Sequence, residues 1–368
     1  MSLYFDHAAS TPPTSEALKL FSTTHQTYFA NPSSLHEGGR SAKKTFEALK
    51  ESFCQQLSFF DGLFTQTSSA TEANNTVITS FLQQNPDAVI CIGIDTHSSI
   101  WYITDLLPQQ CNIIDINENG QYDWDSVNLS HIKPTLILIN YISQDLGTIH
   151  DSKKWHRLIQ LNHCHLHIDA TQAFGKIDIN CEELAFHTMS ASAHKFGGTR
   201  GCGILLSKNT HINPFIHGGS QQDNLRAGTE NLAALAAAQV AYQSSLNHRQ
   251  EHYQKLDRSL EEGLKKIDFK IIYNKPSTKL AGINNISCPG YLASELVTHL
   301  SIHDIHCSTG SACSESQSKA SRAVLAFGRS EEEGLGSLRI SFGPEHRETD
   351  VTTFLTSLEN SLKSLSSK

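Results

Sequence analysis

Between about residues 15 and 243, short β-branched apolar runs alternate with stretches whose apolar side chains recur at helical spacing. That alternation predicts a parallel sheet flanked by helices. The runs predicted as strands are 63–65, 89–94, 112–116, 136–140, 165–168, 188–191 and 203–206. Residues 72–82, with Val77, Ile78, Phe81 and Leu82 on one face, are predicted as an intervening helix. An alanine-rich stretch from Leu232 to Tyr242 runs into polar residues 248–253, which predicts one long helix leaving this first unit. From about residue 246 the pattern changes to a smaller α+β unit, with strands at 269–273, 285–287 and 337–342 and helices at 294–301 and 350–365. The expected organisation is therefore a large domain over 15–245, a small C-terminal domain over 246–368, and a segment 1–14 associated with the small domain. The fold class expected is α/β, with a mainly parallel seven-stranded sheet.

Composition narrows what such a chain can do. With 29 lysines and arginines against 37 acidic residues the formal net charge is −8, and no basic block occurs, so nucleic acid is not expected as a direct partner. Apolar residues make up 38% and charged ones 18%, ordinary globular usage that removes disordered and fibrous readings. The longest aliphatic stretches fall short of the roughly 18 residues a membrane span needs. Residues 1–6 lack a basic start and a long apolar run, which points to a cytoplasmic protein. The nine cysteines include no C-x-x-C pair and do not form a disulfide framework. Among 20 histidines, His163, His165 and His167 share one strand face. Three histidines on a face can hold a metal, but without an accompanying carboxylate or cysteine cluster they read as a polar strand edge entering the core, and no metal is assigned.

Three features carry chemistry. Phe64-Thr65-Gln66-Thr67-Ser68-Ser69-Ala70-Thr71-Glu72 is a strand, a hydroxyl-rich turn and a helix start, where free backbone N–H groups and the helix dipole suit a phosphate, although Ser or Thr there also serves as a simple N-cap. Asp169, in His167-Ile168-Asp169-Ala170-Thr171-Gln172, ends an apolar strand, the place where open α/β sheets bind ligands. Lys195, in Ser192-Ala193-His194-Lys195, follows a strand and precedes a glycine-rich stretch. A phosphate cradle, a strand-end carboxylate and a lysine among small residues make a pyridoxal phosphate site: the amine forms the Schiff base, the carboxylate keeps the pyridine nitrogen protonated, and the cradle holds the phosphate.

At this point the chain resembles the cysteine desulfurases of the class V aminotransferase superfamily, pyridoxal-phosphate enzymes of fold type I. The resemblance runs from Tyr4-Phe5-Asp6-His7-Ala8-Ala9 to Ser337-Leu338-Arg339-Ile340-Ser341-Phe342-Gly343. It includes Asn31-Pro32-Ser33-Ser34-Leu35-His36, Ala70-Thr71-Glu72-Ala73-Asn74-Asn75, Asp169-Ala170-Thr171-Gln172, Ser192-Ala193-His194-Lys195, Leu225-Arg226-Ala227-Gly228-Thr229-Glu230-Asn231 and Ser308-Thr309-Gly310-Ser311-Ala312-Cys313. It implies Lys195 as the Schiff-base lysine and proton carrier, Asp169 on the pyridinium, Gln172 and Gln144 near the ring hydroxyl, and His97 stacked on the ring. It also implies Ala70, Thr71, Ser192 and His194 at the phosphate, joined by Thr229 from the second subunit of a homodimer. Arg339 and Asn31 would bind substrate. Cys313 would take sulfur from L-cysteine as a persulfide, leaving alanine, and deliver it to an acceptor protein serving iron–sulfur assembly or tRNA thiolation. Its small neighbours Ser308 to Ala312 suggest a mobile loop.

The sequence departs from the family in places. Gln144 stands where relatives mostly carry asparagine, Gln222-Asp223-Asn224 replaces Glu-Arg-Gly, and Ser69 and Ala193 replace glycines. Other readings are a selenocysteine lyase, another pyridoxal-phosphate lyase or aminotransferase of this superfamily, and a catalytically inactive partner subunit.

Overall fold

A computed structural model describes residues 2–129, 133–161, 163–208, 211–245, 250–310 and 319–366. A short strand, β1 (Leu3–Tyr4), opens the chain, followed by helices α1 (Ser15–Thr27) and α2 (Glu37–Gln56). Then come β2 (Leu63–Thr67), α3 (Ala70–Gln84), β3 (Val89–Gly93), β4 (Cys111–Ile114), β5 (Thr135–Asn140), β6 (Cys164–Asp169), β7 (Thr188–Ser192) and β8 (Gly203–Ser207). Strands β2 to β8 form one seven-stranded sheet in the order β2-β8-β7-β6-β5-β3-β4. Only β8 runs against the rest: it pairs antiparallel with both β2 and β7, while β4-β3-β5-β6-β7 pair in parallel. Its connection from β7 is a glycine-rich turn with no room for the helical crossover that a parallel neighbour requires. The seven expected strands are all present, with ends displaced by one or two residues.

Alternation along β5 explains how both faces of the sheet are covered. Ile137 and Ile139 join the core shared with α1 and α2, whereas Leu136 and Leu138 join the one beneath α3. Helix Leu232–Ser245 is buried almost all round, and its alanines let α1 and α2 pack closely against it. The expected single helix through residue 253 is described as two pieces, Leu232–Ser245 and Gln250–Leu264, and their junction lies outside the described residues.

The remaining strands are β9 (Ile272–Tyr273), β10 (Ile283–Ser287), β11 (Ile305–His306), β12 (Ser308–Thr309) and β13 (Ser337–Ser341). Four of them form an antiparallel sheet ordered β12-β13-β10-β9, and β1 pairs in parallel with β11. The strand expected at 269–273 is reduced to its last two residues: Phe269 and Ile271 lie against the local core without entering the ladder. That core holds Phe5 from the N-terminal segment together with Leu256, Leu296, Ile340 and Phe354. No helix among the described residues is long and apolar enough to cross a membrane.

Candidate active site

The parallel strands end along one edge of the large sheet, with Asn140 of β5 in register with Asp169 of β6. A cavity of about 310 Å³ opens there, within the range of a small-molecule site. One end is the start of α3. Ser69 has extended φ and caps the helix by accepting the Glu72 N–H at 3.3 Å, so the serine standing in place of glycine carries no strain. Gly203 is required beside it, because a Cβ there would come within 2.3 Å of the Ser69 backbone. Ala70, Thr71, Ser192 and His194 line this end. Burial, then the Lys195 and Arg200 charges, lower the His194 pKa to about 4. Glu72 behind the turn accepts from Arg226 at 3.0 and 3.3 Å and from the Ser68 N–H at 2.8 Å. Burial alone would raise the Glu72 carboxyl, but those hydrogen bonds hold it below its usual range.

At the centre, Asp169 Oδ2 accepts from Asn74 Nδ2 at 3.0 Å and its Oδ1 from the Thr171 N–H at 2.9 Å. Lys195 sits in a short turn after β7 and donates from Nζ to the Ala8 and Ala9 carbonyls at 2.9 and 2.8 Å. Gln172 donates to the same Ala8 carbonyl at 2.8 Å and accepts from Lys176. His97 follows β3, and its Nδ1 accepts the Ser99 N–H at 3.1 Å. Burial lowers the His97 pKa, Asp169 opposes the shift, and Lys195 adds to it. Gln144 also lines the cavity.

Gln144 borders a second cavity of about 240 Å³ as well, where Arg339 of β13 lies. Arg339 is 3% exposed. It donates from Nη2 to Asp6 Oδ1 at 3.0 Å and from Nη1 to the Gln144 carbonyl at 3.3 Å, with Asp145 at 3.8 Å. Burial raises the Asp145 pKa, and Arg339 counters it. Arg339 Nε and Thr171 Oγ1 are buried with no protein partner among the described residues. Such orphaned groups beside cavities fit an occupant that completes their hydrogen bonding.

Some expected residues do not converge within one chain. Thr229 is exposed and lines neither cavity. Asn31 is also exposed, its side chain accepting the Ser33 N–H at 2.9 Å in the turn before α2. Cys313 lies outside the described residues. Eight cysteines are described, all free and none lining the two cavities. Burial pushes Cys91, Cys181, Cys202, Cys288 and Cys307 up to about 12, so these thiols are poor nucleophiles. His165 and His167 make hydrogen bonds to Thr188 inside the sheet. A cluster the sequence reading passed over, His7, Glu345 and His346, brings possible metal-ligating atoms within 4.8 Å. Its atoms are used internally: His7 bonds Glu345 at 2.8 Å and His346 Nδ1 accepts the Gly343 N–H at 2.8 Å. Asn140, Thr171 and Ala9 also line the main cavity unforeseen. A strand-end position was the available signal for Asn140.

The sheet order, the helix N-terminus, the strand-end Asp169 and Lys195 together define a fold type I pyridoxal-phosphate enzyme. The chain belongs to the class-V aminotransferase family, whose model matches residues 3–354. It is 28% identical to the cysteine desulfurase IscS of Dictyoglomus turgidum over 99% of this chain and 95% of that one. It is 29% identical to the cysteine desulfurase IscS of Methanosarcina thermophila, over 96% and 90% respectively. Among solved structures, a NifS-like protein from Rickettsia africae superposes with a TM-score of 0.88 at 26% identity, covering 99% of this chain and all of that one.

Proposed function

We propose that this chain is a cysteine desulfurase that converts L-cysteine to L-alanine and passes the sulfur through Cys313 to an acceptor protein. The observation that carries the reading is the convergence of Asp169, His97 and Lys195 on one cavity, with Arg339 beside it. When bound, pyridoxal phosphate supplies an electron sink for carbanion chemistry at the substrate carbons. The first turn of α3, Thr71, Ser192 and His194 would hold its phosphate, Asp169 would keep the ring nitrogen protonated, and Gln172 and Gln144 would serve the ring hydroxyl. Thr229 of a second copy completes the phosphate site, which makes the homodimer the working unit.

Arg339 holds the substrate carboxylate with its two-pronged guanidinium, and Asn31 is assigned to the same substrate. Lys195 moves the proton at the substrate α-carbon, and His97 assists. The Cys313 thiolate attacks the substrate sulfur: the new S–S bond forms as the Cβ–S bond breaks. The electron pair stays on the carbon side, and a proton completes alanine. Gly310, three residues before Cys313, borders the cavity that contains Arg339. The acceptor is an iron–sulfur scaffold or a sulfur-relay protein of tRNA thiolation, in the cytoplasm.

The test is a visible spectrum of the purified protein, then L-cysteine with alanine and sulfide measured in wild type and Cys313→Ala. The expected result is a yellow protein whose alanine and sulfide formation is lost in the variant. Activity that persists in Cys313→Ala makes the protein a lyase of the selenocysteine lyase type, and a yellow protein inert toward cysteine makes it a catalytically inactive partner.

A further inference from the structure

The histidine run that the chemistry above leaves unused leads into the site. His165 and His167 project from β6 on one side, and both ring edges meet Thr188 of β7, at 3.0 Å from His165 Nε2 and 2.9 Å from His167 Nδ1. His167 Nε2 lies 2.9 Å from Asn74 Oδ1. The same oxygen accepts from Ser190 Oγ at 2.6 Å. On its other side, Asn74 Nδ2 donates both hydrogens, one to Asp169 Oδ2 at 3.0 Å and one to Ser99 Oγ at 2.9 Å. Ser99 Oγ in turn lies 2.9 Å from His97 Nδ1. Asn74, His167, Thr188 and Ser190 are all fully buried.

Donor and acceptor requirements give this chain one direction. Asn74 Oδ1 can only accept, so His167 carries its proton on Nε2, and its Nδ1 accepts from the Thr188 hydroxyl. Thr188 then accepts from His165 Nε2. Burial keeps His167 neutral, with a pKa of about 4, so the arrangement persists at neutral pH. All hydrogen-bonding capacity of the Asn74 amide is used, and a flipped amide would put its oxygen against the Asp169 carboxylate. At the far end, Ser99 supplies its N–H and its hydroxyl to His97 Nδ1, which leaves the proton of the neutral ring on Nε2.

We propose that Asn74 is a positioning residue for Asp169 and His97 at once, held in a single amide orientation by His167 and Ser190. The inference rests on the cofactor reading above, since Asp169 and His97 matter chemically only with the ring between them. It assigns the histidine run to orienting the site from deeper along β6, on the same sheet face as Asp169.

The experiment compares cofactor-loaded wild type with Asn74→Asp, His167→Leu and His167→Gln. It records the visible bands as a function of pH, kcat and KM for L-cysteine, and thermal melting. Asn74→Asp keeps the shape but places a second carboxyl against Asp169, so the two hold a proton between them. It is expected to lower kcat roughly 100-fold, to leave KM nearly unchanged, and to move the pH midpoint of the visible bands by about one unit or more. His167→Leu shifts the same midpoint, and His167→Gln, which keeps a donor toward Asn74, restores it. If Asn74→Asp does not fold, Asn74→Ser carries the same readouts. Wild-type protein that neither takes up pyridoxal phosphate nor forms alanine removes the cofactor reading itself. Wild-type protein that does both, alongside Asn74 variants with unchanged bands and unchanged kcat, overturns this inference alone.

Discussion

Arg339, proposed above to hold the substrate carboxylate, shows how a buried charge is kept in place. Its guanidinium is buried, yet one nitrogen has no protein partner and the others meet Asp6, Asp145 and a carbonyl. Removing a charge from water costs several kcal/mol unless partners compensate, so the two carboxylates hold it in place while the orphaned edge remains for a ligand. Arg339→Lys keeps the charge and loses the planar fork. KM for L-cysteine is expected to rise about tenfold or more, with a smaller change in kcat, measured by alanine formation; an unchanged KM sinks the carboxylate role. Asp169 and Lys195 were legible in the sequence because each follows a strand-like run directly. Asn74 was not recognised as a support: its partners His167 and Ser190 are 93 and 116 residues away, and only the fold brings them together.

At the scale of elements, the segment Gln222-Asp223-Asn224 shows what the family departures do. All three residues are left-handed, with φ of 49°, 59° and 63°. Each such non-glycine residue costs about 1–2 kcal/mol, and asparagine, where the resemblance expects glycine, is among the residues that tolerate it best. The compensation is the Gln222 side chain, which accepts the Gln66 N–H at 2.6 Å and donates to the Gln66 carbonyl at 2.9 Å. Strand β2 lies at the edge of the sheet, and this amide occupies the ladder positions of a missing neighbour. Gln66 returns the favour with its own side chain, bonding the Asn231 N–H and carbonyl at 3.1 and 2.8 Å. Asp223 itself is exposed and lies 4.0 Å from Lys50, an ion pair of little energetic weight. Gln222→Ala is expected to lower stability by about 1–3 kcal/mol. A urea midpoint that falls at unchanged slope is the sign of this; an unmoved midpoint means that the cap is dispensable. The sequence pattern located the large-sheet strands, whose apolar runs are long, but missed β1, β11 and β12, which are two residues each and read as loop.

For the whole molecule, the N-terminal segment ties the smaller core to the candidate site. Phe5 packs in the smaller core, Asp6 holds Arg339, and the Ala8 and Ala9 carbonyls receive Lys195. The sequence placed this segment beside the small domain but not its role in the site, because that work is done by backbone carbonyls and one carboxylate. The same burial that orders the site makes folding sensitive to acid. His165 and His167, deep in the sheet, are held neutral with pKa values of about 3 and 4. In the unfolded chain each titrates near 6.5, so between that value and the folded ones the unfolded state binds more protons and stability falls as pH falls. The loss is absent above pH 6.5 and reaches about 2 kcal/mol for each of these histidines by pH 5. Carboxyl groups held low by their partners, such as Glu345 at about 2, weaken the fold only at lower pH, below their unfolded value of 4.5. Urea unfolding at intervals from pH 7.5 to 5 follows the buried histidines, His194 at about 4 among them, beyond the contribution of buried Lys176 at about 7: a decline that steepens below pH 6.5 is expected. A flat profile down to pH 5 means that His165 and His167 take up protons in the folded state, which would break the single hydrogen-bond direction that orients Asn74.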